Sequence, residues 1–244
     1  MPETCNIIDI KPPVVFIGDL HLGASEKAQM LLSSFFDALP ANITIIGIGD
    51  IVDYWAECRD FDFGSDFPDL EKFQRFQSYF IKGNRDFLIG ERWEKRTGGV
   101  VLGDEAVFNV AGRRIKCVHG DTLVQKDWRY QLWRKFARSG VFEICAGALG
   151  ESRSRRLAGN LKTQSKKEVG RKKISDMQLE IESVEAALEG NDILVCGHTH
   201  KPERSTLSKG ELIVLGPWDT SSEVLFVSEA GNIVFRSAEG FVYR

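Results

Sequence analysis

The chain alternates short apolar runs with polar, glycine-containing breaks. Val14–Ile17 is apolar throughout and rich in β-branched residues, then stops at Gly18-Asp19. Such a run predicts a strand buried on both faces. From Ser25 to about Leu39, apolar residues recur at helical spacing (Ala28, Leu31, Leu32, Phe35, Phe36) until Pro40 closes the segment. Ile43–Ile48 predicts a second buried strand, ending at Gly49-Asp50, and Leu70–Gln77 reads as helical. Tyr79–Ile81 predicts a third strand, ending at Gly83-Asn84. This alternation argues for βαβ units and a parallel sheet.

Shorter strands are predicted at Val100–Leu102, Ala106–Val110 and Arg114–Val118, with Gly112-Arg113 as the turn between the last two. The third of these ends at His119-Gly120-Asp121. Within Ser165–Glu189, Ile174, Met177, Ile181, Val184 and Leu188 mark one apolar helix face, closed by Gly190. Strands resume at Ile193–Cys196, ending at Gly197-His198, and then at Glu211–Leu215, Val224–Val227 and Ile233–Phe235. There is no internal repeat and no low-complexity linker. The expectation is one α/β domain over residues 1–244 with a helical insertion at 122–188.

Composition narrows the class. With 43% hydrophobic and 27% charged residues in 244, the chain has ordinary globular usage, which excludes disordered, collagen-like and coiled-coil readings. No run approaches the ~18–20 apolar residues of a membrane span. The N-terminus lacks a basic start and an apolar signal core, so export by that route is not expected. Five cysteines, with no CxxC, read as reduced thiols of a cytoplasmic protein, Cys117 and Cys196 lying in apolar strands. Between Lys126 and Lys173, 14 Lys and Arg face 4 Asp and Glu, although the whole chain carries −3. A basic segment on an acidic body points to an anionic partner.

The polar residues at the strand ends carry the chemistry. Five ends read Asp19-Leu20-His21, Gly49-Asp50, Gly83-Asn84-Arg85-Asp86, His119-Gly120-Asp121 and Gly197-His198-Thr199-His200. Ligand sites in open α/β sheets lie just beyond such ends. The chain has only four histidines, and all four stand in these motifs. Asp19, His21, Asp50, Asn84, His119, His198 and His200 would supply seven nitrogen and oxygen donors, more than one tetrahedral ion takes. They suit two divalent ions bridged by a carboxylate; mixed imidazole and carboxylate ligands accept Mn²⁺, Fe²⁺, Zn²⁺ or Co²⁺. Two such ions lower the pKa of a shared water, orient a phosphoryl group and stabilise in-line displacement. The chemistry implied is hydrolysis of a phosphate ester or anhydride.

The ordered set D-x-H, G-D, G-N-x-D, H-G-D, G-H-x-H over about residues 14–200 resembles the calcineurin-like metallophosphoesterases. That resemblance implies a double β-sandwich flanked by helices. It also implies a ligand division: Asp19, His21 and His200 on one ion, Asn84, His119 and His198 on the other, Asp50 bridging. Many members have His where this chain has Arg85. A guanidinium cannot donate a proton at useful pH but can grip a phosphate, which favours a diphosphate substrate with a weakly basic leaving group. The alternative is an Arg85 that only pairs with a neighbouring carboxylate.

Longer stretches narrow the resemblance. Gly83–Gly90, His119–Leu123, Asp127, Tyr130-Gln131, His198–Pro202 and Leu215-Gly216-x-Trp218 are similar to the UDP-2,3-diacylglucosamine pyrophosphohydrolases of the lipid A pathway. The likeness implies cleavage of a UDP-linked diacylated sugar to UMP and the acyl-sugar 1-phosphate, with two divalent ions, Mn²⁺ the expected one. It implies Asn84, Arg85, Asp86 and His119 as the catalytic set, and substrate contacts from Asn84, Arg85, Asp127, Ser165, Lys172 and His198. The chain departs from that family at Gly18 (Ser is usual), at Gly-Asp-Ile-Val-Asp over 49–53 (for Gly-Asp-Leu-Phe-Glu), at Lys162 (for Arg) and at Val169 (for Asn).

In the insertion Trp128, Trp133, Phe136 and Phe142 interleave with Arg129, Arg134, Lys135 and Arg138. Apolar side chains there could line an acyl chamber or dip into the inner-membrane surface from its cytoplasmic face, with the cations meeting phosphates. A helix packing that aromatic face on the core is the plainer reading. A soluble nucleotide, dinucleotide or phosphodiester substrate is the enzymatic alternative. A nucleic-acid partner, also compatible with a basic, aromatic-interleaved segment carrying Arg153, Arg155 and Arg156, is not expected.

Overall fold

The computed structural model describes residues 7–24, 26–55, 57, 66–124, 156 and 179–243. Almost all of the basic segment, and with it Asp127, Ser165 and Lys172, lies outside the described residues. So does the predicted helix up to residue 178.

Among the described residues, twelve strands form two six-stranded sheets. The first sheet is built on β2 (Val14–Ile17), β3 (Thr44–Ile48), β4 (Gln77–Ile81) and β5 (Val100–Val101), each parallel to the next. The predicted βαβ logic is borne out here. β2 and β3 are buried at every position, as their uninterrupted apolar runs require. β11 (Glu223–Val227) and β12 (Ile233–Ser237) extend this sheet antiparallel, so it is mixed rather than purely parallel. The second sheet has the order β1-β6-β7-β8-β10-β9. It comprises β1 (Ile7–Ile10), β6 (Glu105–Val110), β7 (Arg113–Val118), β8 (Ile193–Cys196), β9 (Glu203–Leu207) and β10 (Gly210–Val214).

The period of two divides the core into layers. Val14 and Phe16 join Ile46, Ile48, Phe108, Ile115, Val195 and Ile213 between the sheets. Val15 and Ile17 turn the other way, into an aromatic-rich layer under α1 (Glu26–Ala38), a 3₁₀ helix (Pro68–Arg75) and α2 (Glu91–Thr97). There Phe36 meets Phe73 edge-on at 4.8 Å, and Trp93 meets Phe80 at 5.2 Å. Such pairs add about 0.5–1.5 kcal/mol each beyond area burial. α3 (Ile181–Ala187) covers the far face of the second sheet through Val184 and Leu188. The result is a two-sheet sandwich with helices outside. Among the described residues no helix is long and apolar enough to cross a membrane.

Three expectations change in detail. Leu70–Gln77 is not an α-helix: a 3₁₀ helix ends at Arg75 and Gln77 already pairs with Thr44. The β6–β7 hairpin turns at Ala111-Gly112, both with positive φ, because Val110 pairs with Arg113. β1, α2 and β9 carry too weak a pattern to be predicted. Cys117 and Cys196 are buried free thiols whose pKa values burial pushes upward. Neither should react with iodoacetamide in the native protein at pH 8, while both should in urea; mass spectrometry of the native adducts checks this.

Candidate metal centre

The strand ends that carry the predicted donors come together between the sheets. β2 and β3 remain hydrogen-bonded past their ends: Asp19 N donates to Gly49 O (3.2 Å), His21 N to Asp50 O (3.0 Å) and Leu22 N to Ile51 O (3.0 Å). Asp19 and Asp50 therefore stand side by side. β4 beside β3 delivers Asn84. On the other sheet, Gly197 N donates to His119 O (2.8 Å), which sets His198 beside His119. Among the described residues, seven other than glycine have φ near +50° to +70°, and five of them are Asp19, His21, Asp50, His198 and His200. Asp and His tolerate this region better than most, yet it still costs free energy, and such conformations gather where function requires them.

The donors form two groups. In one, His21 Nε2 and His200 Nε2 are 3.1 Å apart and lie 3.9 and 3.7 Å from Asp19 Oδ1. In the other, Asn84 Oδ1 is 2.8 Å from His119 Nε2 and 3.0 Å from His198 Nδ1. Asp50 lies between them, with Oδ1 3.7 Å from His119 Nε2 and Oδ2 3.9 Å from His21 Nδ1. Asp19, His21 and His200, and likewise Asp19, Asp50 and His119, bring ligand atoms within 4.8 Å of one another. His200 and half-buried Asn84, Arg85 and His198 open the cluster to solvent, while Asp19, His21, Asp50 and His119 are buried.

Electrostatics fits a cation. Burial alone would raise Asp19, but the nearby His200 and the charges of His119 and His21 hold it well below the usual carboxylate range. His200 sits too far for a good hydrogen bond, so its effect is close-range charge. Asp50 moves upward, through burial and the adjacent Asp19. Burial depresses His21 and His198 to about 4, leaving them neutral and able to ligate at pH 7. His119 and His200 rise because nearby carboxylates outweigh burial. Asp19 Oδ1 and His21 Nδ1 are buried without a hydrogen bond among the described residues. Such atoms are costly unless something meets them. The donor set is compatible with a dinuclear metal site.

One supporting carboxylate stands differently from expectation. Asp86 does not present its carboxylate to the donors. It is fully buried and accepts N–H bonds from Gly83 (2.8 Å), Asp50 (3.1 Å) and Ile51 (2.8 Å). With both oxygens so engaged it fixes the β3 and β4 loops to one another, which is a positioning role rather than the catalytic one expected. Burial and the Asp50 charge raise its pKa to about 6. Arg85 lies at the cluster but is also ion-paired, to Asp53 and to Asp50. Asp53 was visible only as a departure from a motif; its partner stands 32 residues away, beyond any local pattern.

The chain belongs to the calcineurin-like phosphoesterase family, whose model matches residues 12–202. It is a metal-dependent hydrolase of phosphoester or phosphoanhydride bonds. Among its curated relatives is UDP-2,3-diacylglucosamine hydrolase of Shewanella piezotolerans, 30% identical over 223 residues, covering 88% of this chain and 94% of the relative. The proteins of that name from Vibrio cholerae and Escherichia coli are also 30% identical, each alignment covering 88% of this chain and 94% of the relative.

Proposed function

We propose that the chain hydrolyses the diphosphate of UDP-2,3-diacylglucosamine, giving UMP and 2,3-diacylglucosamine 1-phosphate, with two divalent cations, Mn²⁺ the first candidate. The observation that carries this reading is the convergence of seven donors into two groups joined by Asp50, in a chain that aligns over most of its length with relatives of that name. On this reading Asp19, His21 and His200 hold one cation, Asn84, His119 and His198 the other, and Asp50 both. Two bound cations supply Lewis acidity, activating water and neutralising phosphoryl charge.

The chain's own groups do the rest. The bond from His119 Nδ1 to Ile48 O, 3.2 Å, fixes that ring with Nε2 facing Asn84. Arg85 meets the phosphoryl oxygens at the solvent-facing side. It supplies charge and no proton, which suits a phosphate leaving group. Asp127, Ser165 and Lys172 add substrate contacts, and the basic, aromatic segment receives the acyl chains at the cytoplasmic face of the inner membrane.

The test compares UDP-2,3-diacylglucosamine with bis(p-nitrophenyl) phosphate, both with Mn²⁺. Wild type should turn over both. Trp133→Ala and Phe142→Ala should lower kcat/KM on the lipid substrate at least about tenfold and on the soluble diester less than about threefold, since apolar burial of one aromatic side chain is worth ~1.5–3 kcal/mol. Equal losses on both substrates overturn the lipid reading.

A further inference from the structure

Arg85 is a long side chain, and the reason it points across the cluster is visible. Its Nη1 makes a close ion pair with Asp53 Oδ1, its Nε lies 3.4 Å from Asp50 Oδ2, and its backbone N donates to Asp50 Oδ1 at 2.9 Å. Asp50 is thus embraced by Arg85 through both carboxylate oxygens. Asp53 is anchored in turn: its backbone N donates to Leu22 O at 2.9 Å, and Val52 bridges Leu22. It rides on the same paired strand extensions that position Asp19 and Asp50. The Asp53 side chain has 0% of its surface exposed, against 19% for Arg85. The pair is therefore rooted inside the protein and opens outward at the guanidinium.

We propose that Asp53 is a positioning residue that fixes the Arg85 guanidinium across Asp50, so that the rest of its donor fork meets a phosphoryl oxygen of the substrate. The inference rests on the phosphoryl-hydrolysis reading of the site. A guanidinium has five N–H donors in a rigid plane, and fixing Nε and Nη1 fixes the direction of the others. A flexible arginine would reach the same phosphate in many orientations, few of them suited to the transition state. An amide at position 53 could accept a hydrogen bond but would not oppose the cation, so the charge of Asp53 is the active feature.

The experiment combines Asp53→Asn, Asp53→Glu, Arg85→Ala and the double variant Asp53→Asn/Arg85→Ala. Kinetics are read on UDP-2,3-diacylglucosamine and on bis(p-nitrophenyl) phosphate, alongside bound Mn²⁺ and the affinity for inorganic phosphate. Asp53→Asn should lower kcat about tenfold with KM within about twofold, since Arg85 meets charge that develops in the transition state. Its Mn²⁺ content should equal wild type, and its phosphate affinity should fall about threefold. Asp53→Glu should be intermediate, about threefold below wild type in kcat. In the Arg85→Ala background, Asp53→Asn should change kcat less than about twofold. Full additivity of the two substitutions, loss of Mn²⁺ from Asp53→Asn, or unchanged kcat overturns the proposal. If Asp53→Asn does not fold, Asp53→Ser, which also removes the charge, decides: unchanged kcat with full Mn²⁺ overturns it. Wild type active on the diester but not on the UDP-sugar refutes the substrate reading alone, and leaves the role of Asp53 readable on the diester.

Discussion

Asp50→Ala should abolish hydrolysis and strip both cations from the protein. Asp50 faces both groups, one oxygen toward His119 and the other toward His21. Without it each remaining group has a neutral-imidazole majority and a single fully charged member at most. Lewis-acid stabilisation of a phosphoryl transition state is worth several kcal/mol, so losing ~4 kcal/mol or more lowers kcat by about 10³-fold or more. The fold should survive. Asp50 is a buried carboxylate whose desolvation and repulsion by Asp19 oppose its attraction to His119 and Arg85, so removing it from the metal-free protein relieves about as much as it gives up. Metal-free Asp50→Ala should therefore melt close to metal-free wild type, whereas the rise in Tm that Mn²⁺ gives wild type should vanish. Elemental analysis, Tm with and without Mn²⁺ and diester turnover check this. Two ions per chain with normal turnover would contradict the bridging role.

The site was more legible in the chain than the sheets that build it. β2, β3 and β8 announce themselves as apolar runs because both their faces are covered, and each stops at glycine followed by a donor. Four histidines confined to strand ends leave few arrangements. What escaped detection depends on contacts remote in sequence. β1 buries only Ile10 fully, and its partner β6 lies about a hundred residues on. β9 is a polar edge strand whose Glu-Arg-Ser-Thr-Leu sequence has no buried face to betray it. α2 is seven residues long, with Trp93 its large apolar anchor, too short for periodicity to register. The second sheet's order, β7 beside β8 and β8 beside β10, is set by tertiary pairing that no local pattern encodes. The same holds for Asp86 and Asp53. Both are acidic residues in glycine-rich loops, which read equally as ligand, cap or turn. Only the fold shows Asp86 tying loops together and Asp53 holding Arg85.

Gly83→Ala should disable the enzyme nearly as completely as loss of a donor, although Gly83 donates nothing to a cation. A Cβ there would lie 2.3 Å from Asp50 N, 2.3 Å from Asp50 Oδ1 and 2.8 Å from Asp86 Oδ1. The first of these is backbone and cannot rotate away, so the β3 and β4 loops must separate. Separation breaks the Gly83 N–H bond to Asp86 and moves Asn84, the next residue, relative to Asp50. Misplacement of about 1 Å can cost 10²-fold in rate. We expect kcat/KM on the diester to fall at least about 100-fold and Mn²⁺ to bind more weakly, with overpacking costing ~1–3 kcal/mol of stability. Gly18→Ala provides the contrast. It also adjoins the cluster, but its Cβ would meet Ile48 O at 3.3 Å and Leu215 at 3.5 Å, a fit that small shifts accommodate. Its turnover should stay within about threefold of wild type. Gly18 thus has room for a methyl group, whereas the crowding at Gly83 leaves no such latitude. If Gly83→Ala binds two Mn²⁺ and turns over diester like Gly18→Ala, close approach of the two loops is not what aligns Asn84 with Asp50.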